Sequence, residues 1–309
     1  MRVIITGGSG LIGRALTGNL AADGYEVIVL SRSPGRVSDL PQNVRAAGWD
    51  SRSADGWAEL ADGATAIVNL ASENLAGDHF LPDRWTANKR QRIRQSRLEA
   101  GHAVLDAVRR VANKPDVVIQ SSAVGYYGTH ENGEITEEYP SGDDFLASVA
   151  RDWEAGTAPV EEHGVRRAIA RMGMVLSTEG GSFPRLLLPY RLFVGGPYGS
   201  GKQWWSWIHL QDTVRAIRFL IEHPEAHGPF NVVAPEPVQN QTFGRTLGKV
   251  LKRPHYLPVP GFALRGVLGE VADVVLKGQR VVPRQLQELG FEFEFPTLEE
   301  ALRDILGKE

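Results

Sequence analysis

"VIITGGSGLIGRAL", residues 3–16, is an apolar run interrupted by four glycines and resumed as a helical pattern. Residues 3–6 read as a strand, and Leu11, Ile12, Ala15, Leu16 and Leu20 fall on one face of a following helix. Gly7, Gly10 and Gly13 stand between the two. Glycines at this spacing let a backbone turn tightly, approach a pyrophosphate and pack helix on strand. The free N–H groups at the helix start then attract phosphate. Gly7, Ser9, Gly10, Leu11, Ile12 and Gly13 are therefore the expected dinucleotide contacts. A kinase or ATPase loop needs Lys and then Ser/Thr after its last glycine; Arg14-Ala15 stand there, which excludes it.

Working outward, short apolar runs recur at 25–30, 66–70, 117–120 and 166–172, separated by long amphipathic stretches at 86–111 and 144–163. Continuous runs suit strands covered on both sides by crossover helices. The expected fold is α/β: a Rossmann-type doubly wound parallel sheet with a smaller C-terminal substrate lobe. After about residue 173 the chain turns rich in Gly, Pro and aromatics. A helix at 212–223 and a strand at 230–233 look like a return to the sheet. The expected division is a dinucleotide-binding domain over 1–172, rejoined by 204–235, and a substrate-side lobe from 173–203 and 236–309.

The 309 residues carry a formal charge of −3, which gives no electrostatic reason to expect nucleic acid or an anionic membrane as partner, and neither is expected. There is no cysteine, so disulfides, thiolate catalysis and cysteine-ligated zinc are excluded. No apolar stretch approaches the roughly 18–20 residues of a membrane span. The start "MRVIITGG" enters a strand at once, leaving no room for a signal peptide, and a cytoplasmic location is expected. His223 and His227 have metal-ligand spacing, but the intervening proline makes a helix end the better account, and no metal is expected. His209 and Asp212 read as structural, with Asp212 placed to cap the next helix. No G-x-S-x-G elbow is present.

The second strand ends in "VLSRSPGR", putting Ser31-Arg32 where an acid would hold a free ribose 2′-hydroxyl. Arginine makes charge-assisted bonds to phosphate, so NADP(H) is favoured over NAD(H), against the alternative of a solvated arginine in a surface turn.

With "TGGSGLIG", "SSAVGYYG" and "WSWIHLQDTVRAI" (205–217) in place, the chain resembles the short-chain dehydrogenase/reductase superfamily in its extended, epimerase-like branch. "NLASENLA", "DFL…RDWE", "GGPYGSGKQWWSWIHLQD" and "GQRVVPRQLQELGFEFEFPTLEEAL" further resemble a small atypical subfamily. Its members are described as NADP-dependent oxidoreductases or epimerase-family proteins without an assigned substrate. The resemblance spans essentially the whole chain, with one departure: Ser72 stands where that subfamily usually has glycine. It implies that Leu70 and Ala71, Arg97, Ser121 and Val175 lie against the cofactor. Core packing is the competing account for Leu70, Ala71 and Val175, whereas a buried-side Arg97 wants an anion.

The superfamily pairs its serine with Tyr-x-x-x-Lys, one helical turn apart. Here the helix reads "DDFLASVARDWEAG", with Leu146 and Ala150 near those places, and no lysine occurs between Lys114 and Lys202. Tyr198 and Lys202 have the spacing but sit in a glycine-rich loop. A cation about 4 Å away at an effective dielectric of about 20 is worth on the order of 4 kcal/mol, roughly three pKa units. Without one, only about one tyrosine in a thousand is ionised at neutral pH. The candidate catalytic groups are Ser122, as donor to a substrate oxygen or merely a strand-end cap, together with Tyr127 and Glu73. Trp204, Trp205, Trp207 and Tyr198 are dense enough to line a small-molecule pocket, with some of them expected to be simply core.

Two functions follow. One is an NADP(H)-dependent oxidoreductase or epimerase-like enzyme acting on a small carbonyl or sugar-like substrate. The other is an NADPH-binding regulatory or sensor protein without catalysis. A monomer or homodimer is expected.

Overall fold

The computed structural model describes residues 1–37, 40–77 and 82–307. The glycine turn joins β1 (Arg2–Thr6) to α1 (Leu11–Ala22), and the chain continues through β2 (Glu26–Ser31), β3 (Val44–Gly48) and β4 (Ala66–Asn69). The long helix α2 (Ala87–Arg110) leads to β5 (Val117–Ala123), and α3 (Phe145–Thr157) to β6 (Arg166–Met172). After α4 (Phe183–Arg191), α5 (Leu210–Glu222) returns the chain to β7 (Gly228–Val232). The seven strands pair in the order β7-β6-β5-β4-β1-β2-β3, all parallel. Strand order reverses beside β1, which opens a crevice at the strands' carboxyl ends.

Burial on both faces explains the apolar runs. On one face α1 and α5 bring Leu16, Leu20, Val214, Ile217 and Leu220 against Val3, Ile5, Val27 and Val68. On the other, α2 brings Ala100, Val104 and Val108 against Ile4, Ile28 and Ile67. α2 is capped by Thr86, whose hydroxyl accepts from Lys89 N–H, and α3 by Asp144, whose carboxylate accepts from Ala147 N–H.

Three expectations need correction. The amphipathic stretch 144–163 is not one α-helix: α3 stops at Thr157, and a 3₁₀ segment with Pro159 in its first turn carries the chain on. Asp212 does not cap α5. His209 does, its Nδ1 accepting from Gln211 N–H at 3.0 Å, while Asp212, 0% exposed, accepts from Glu294 N–H and Phe295 N–H, both at 2.9 Å. The tryptophans do not frame a cleft. Trp205 and Trp207 are buried with Phe183, Leu187, Phe243, Leu247 and Leu302 in the core of the C-terminal part, joined by α6 (Asn240–Leu251). Tyr198 packs against Trp205 at 6.1 Å, and Trp204 lies under the Arg280 guanidinium.

Asp212 thus ties the tail to the sheet. Asp212→Ala would strip two backbone N–H groups of their acceptor and is expected to cost about 3 kcal/mol. The measurement is the urea midpoint, with Asp212→Asn recovering only part of the loss, because its single carbonyl oxygen can accept from one of the two N–H groups.

Candidate functional site

Everything at the carboxyl ends of the central strands is set by how near the glycine turn lies to the exit of β4. A Cβ on Gly7 would stand 2.8 Å from the Leu70 carbonyl carbon, and one on Gly13 would stand 2.5 Å from the Gly7 oxygen. Gly7 also needs φ +68°. Thr6 seals this approach: its hydroxyl donates to Asn69 Oδ1 at 2.7 Å and accepts from the N–H groups of Leu70 and Ala71, each at 3.1 Å. Asn69 Nδ2 donates in turn to Gln120 Oε1 at 2.9 Å, and Gln120 Nε2 to the Ser121 carbonyl at 2.7 Å. All three side chains are fully buried. Sequence reading missed this chain, although each member ends an apolar run (VIIT, AIVN, VVIQ) with a polar residue.

The turn itself is open. Ser9 and Gly10 are exposed, Leu11 and Ile12 half-buried, and α1 has no side-chain cap, so its first N–H groups remain available to an anion. Gly181 and Val175 border Leu11 from the far side. Ser31 accepts from Ser33 N–H at 3.1 Å, and Arg32 beside it is exposed, with no partner among the described residues.

Glu73 and Arg97 meet two residues past Ala71. Glu73 Oε1 pairs with Lys89 Nζ at 2.9 Å and Arg92 Nε at 3.5 Å. The lysine hydrogen bond holds its carboxyl below the ordinary value, so it is an anion and a weak base at neutral pH. Arg97 is 6% exposed. Its Nη1 donates to the carbonyls of Glu73 (3.2 Å) and Ile93 (2.8 Å), and its guanidinium lies 4.8 Å over the Trp153 ring. No carboxylate among the described residues pairs with it, and burial lowers its pKa to about 10. A buried cation in this state favours an anionic partner.

Ser122 and Tyr127 are placed elsewhere. Ser122 Oγ donates to Glu154 Oε1 at 2.6 Å, and Glu154 grips Arg171 with both oxygens, at 2.8 and 2.9 Å. Arg171 donates to Tyr127 Oη at 3.0 Å, and Tyr127 donates to Asn231 Oδ1 at 2.6 Å. Asn231 N–H donates to the buried Glu137 at 3.0 Å. Tyr127 is 0% exposed, and burial pushes its pKa up to about 12. Both hydroxyl protons are thus committed to acceptors within the protein. Leu146 packs beside Gly125, and Ala150 is buried, so α3 presents apolar groups where a tyrosine and lysine were sought. Arg171 was legible as a charge near the end of the run at 166–172, whereas Glu154, in the mixed helix that includes Arg151 and Asp152, was not.

Known proteins resemble this chain in sequence and in fold. A model of the NAD dependent epimerase/dehydratase family fits residues 3–233. The chain belongs to that family. A second model, described only as a domain of unknown function, fits residues 259–305. Among relatives in the family, the Arabidopsis thaliana "Epimerase family protein SDR39U1 homolog, chloroplastic" is 40% identical over 308 residues, covering 99% of this chain and 87% of that protein. The Bacillus subtilis epimerase family protein YfhF is 38% identical over 308 residues, covering 99% and 98%. The crystal structure of human epimerase family protein SDR39U1 (isoform 2), solved with NADPH, superposes with a TM-score of 0.87 at 32% identity over 100% of both chains. The fold and the family expected from the motifs are those found.

The network around Arg171 makes a pH-dependent contribution. Burial raises the Glu137 pKa above the ordinary 4.5, opposed by the N–H donors and Arg171. The folded protein holds that proton more tightly than the unfolded chain does. Its stabilising contribution is present below 4.5 and is lost as pH rises through the raised value. Urea midpoints are expected to fall with pH across that window, and Glu137→Gln to flatten the slope there; an unchanged slope would place the titration at another group.

Proposed function

We propose that this family member binds NADP(H) across the glycine turn and exchanges hydride with a small carbonyl or sugar-like substrate in the crevice. The observation that carries this is Arg97, a buried guanidinium on α2 that donates to the Glu73 carbonyl past the β4 exit and forms no salt bridge among the described residues. In this reading the N–H groups at the start of α1 take the pyrophosphate, Ser31 and Arg32 the 2′-phosphate, and Leu70, Ala71, Ser121 and Val175 flank the remainder. The cradle fits such a group, since the Gly7 approach leaves no space for a side chain. The nicotinamide, when bound, supplies or accepts the hydride. This chain's residues do the binding, the positioning and the exclusion of water. With Ser122 and Tyr127 committed to the Arg171 network, the proton is exchanged with solvent or substrate, and Glu73 acts as an anion beside Lys89 rather than as an acid. The human relative solved with NADPH supports the cofactor choice. A cytoplasmic monomer or homodimer is part of the proposal.

A second reading draws on the same committed hydroxyls: a protein that binds NADPH and regulates a partner without turning over substrate. Binding and turnover separate the two. NADPH titrated against tryptophan fluorescence is expected to bind at least about tenfold more tightly than NADH, and Arg32→Ala to remove about ten- to a hundredfold of that preference by losing a charge-assisted bond. Arg97→Met should weaken both cofactors. Equal affinity for NADPH and NADH in the unaltered protein would overturn the assignment of Arg32. Tight NADPH binding without oxidation across carbonyl and nucleotide-sugar panels would favour the regulatory reading.

A further inference from the structure

The charge of −3 conceals a segregation. No Asp or Glu occurs between Glu179 and Asp212 or between Glu236 and Glu270, stretches with three and five Lys or Arg respectively, of which Lys249 and Arg265 pair with Glu299 and Asp273 from outside them. The same stretches hold most of the large apolar side chains found exposed among the described residues. Leu192, Phe193 and Val194 are consecutive and 60%, 52% and 41% exposed, with Tyr256, Leu257 and Phe262 at 64%, 46% and 80%.

The backbone makes these one surface. Tyr256 N–H and Leu257 N–H both donate to the Gly195 carbonyl, at 2.9 and 3.1 Å, Val259 N–H donates to Pro197 at 2.9 Å, and Gly199 N–H donates back to Val259 at 2.9 Å. Phe262 follows at the start of α7 (Gly261–Leu268), a helix with no buried residue. The wedge after α4 is held rigidly. Phe193 N–H donates to Tyr190 and Val194 N–H to Pro189, and the Arg253 guanidinium lies 4.2 Å over the Phe193 ring. Arg191, Arg245 and Lys252 are exposed beside it and have no acidic partner among the described residues.

We infer that this face docks on an anionic lipid bilayer, with Leu192–Val194 and Phe262 entering the headgroup region and Arg191, Arg245, Lys252 and Arg253 meeting the lipid phosphates. Apolar tips ringed by cations are what a charged interface attracts. A second copy of the chain fits less well, because a twofold contact would set these cations against their own images. No helix among the described residues is long and apolar enough to cross the bilayer, so the attachment is peripheral. The inference does not depend on the cofactor assignment, since none of these residues belongs to the crevice.

The test is sedimentation of the full chain with phosphatidylcholine vesicles containing or lacking roughly 30% phosphatidylglycerol. At least about tenfold stronger partitioning onto the anionic vesicles is expected, falling steeply between about 0.1 and 0.5 M salt. Phe193→Glu and Lys252→Glu should each reduce partitioning severalfold while leaving NADPH fluorescence quenching unchanged, which shows that the variants fold. Equal partitioning onto neutral vesicles, no partitioning onto either, or self-association that Phe193→Glu abolishes without any vesicle binding would each overturn the inference.

Discussion

The hydroxyl of Thr6 is the point on which the crevice depends. It accepts two backbone N–H groups from the exit of β4 and donates to Asn69, so the ends of β1 and β4 are fixed at one level. Only then does the Gly7 turn pass within contact of Leu70, and only glycine survives there. The Asn69–Gln120 bond extends the same levelling to β5. Three buried polar side chains are costly unless fully satisfied, and here each hands its donor to the next. Valine for Thr6 would keep the volume but leave Ala71 N–H and Asn69 Oδ1 without their partner and Leu70 N–H with only the Thr6 carbonyl at 3.3 Å, weakening the floor of the turn.

The second organising group is Arg171, a buried cation on β6, the strand next to the sheet edge. Its cost is offset by a bidentate Glu154, a phenol and a carbonyl, and by the Tyr126 face 3.5 Å away. Glu154 and Tyr127 are thereby occupied, and Ser122, opposite Arg171 across the β5–β6 ladder, falls into the same network. A single guanidinium therefore converts a serine–tyrosine loop that looks catalytic into a strut. It also fixes β7 through Asn231 and, through Glu137, the segment beginning at Gln285.

The architecture was legible because strands buried on both faces must be apolar throughout; the runs at 3–6, 66–70 and 166–172 all became strands. β3 was not, since "VRAAG" is an edge strand only partly buried, with no apolar run to detect. In the site, the backbone-driven part was legible: a glycine turn announces itself because no other residue fits. Side-chain direction was not. Ser121 and Ser122 are neighbours on one strand and must point to opposite faces, and sequence alone does not say which face holds Arg171. The tryptophans failed for a related reason, since density of aromatics describes a core as well as it describes a pocket.

Arg97 stands apart from Arg171 in just this respect. Both are buried and both stack on aromatic rings, yet one is bonded to a carboxylate and the other donates to two carbonyl oxygens, with the Glu73 charge acting on it only through space. Carbonyls do not neutralise a guanidinium, and burial pulls the Arg97 pKa down where pairing raises that of Arg171. Keeping Arg97 charged works against the fold on its own account. A site that holds such a group beside an uncapped helix N-terminus spends stability to be ready for an anion, which is how binding sites differ from cores.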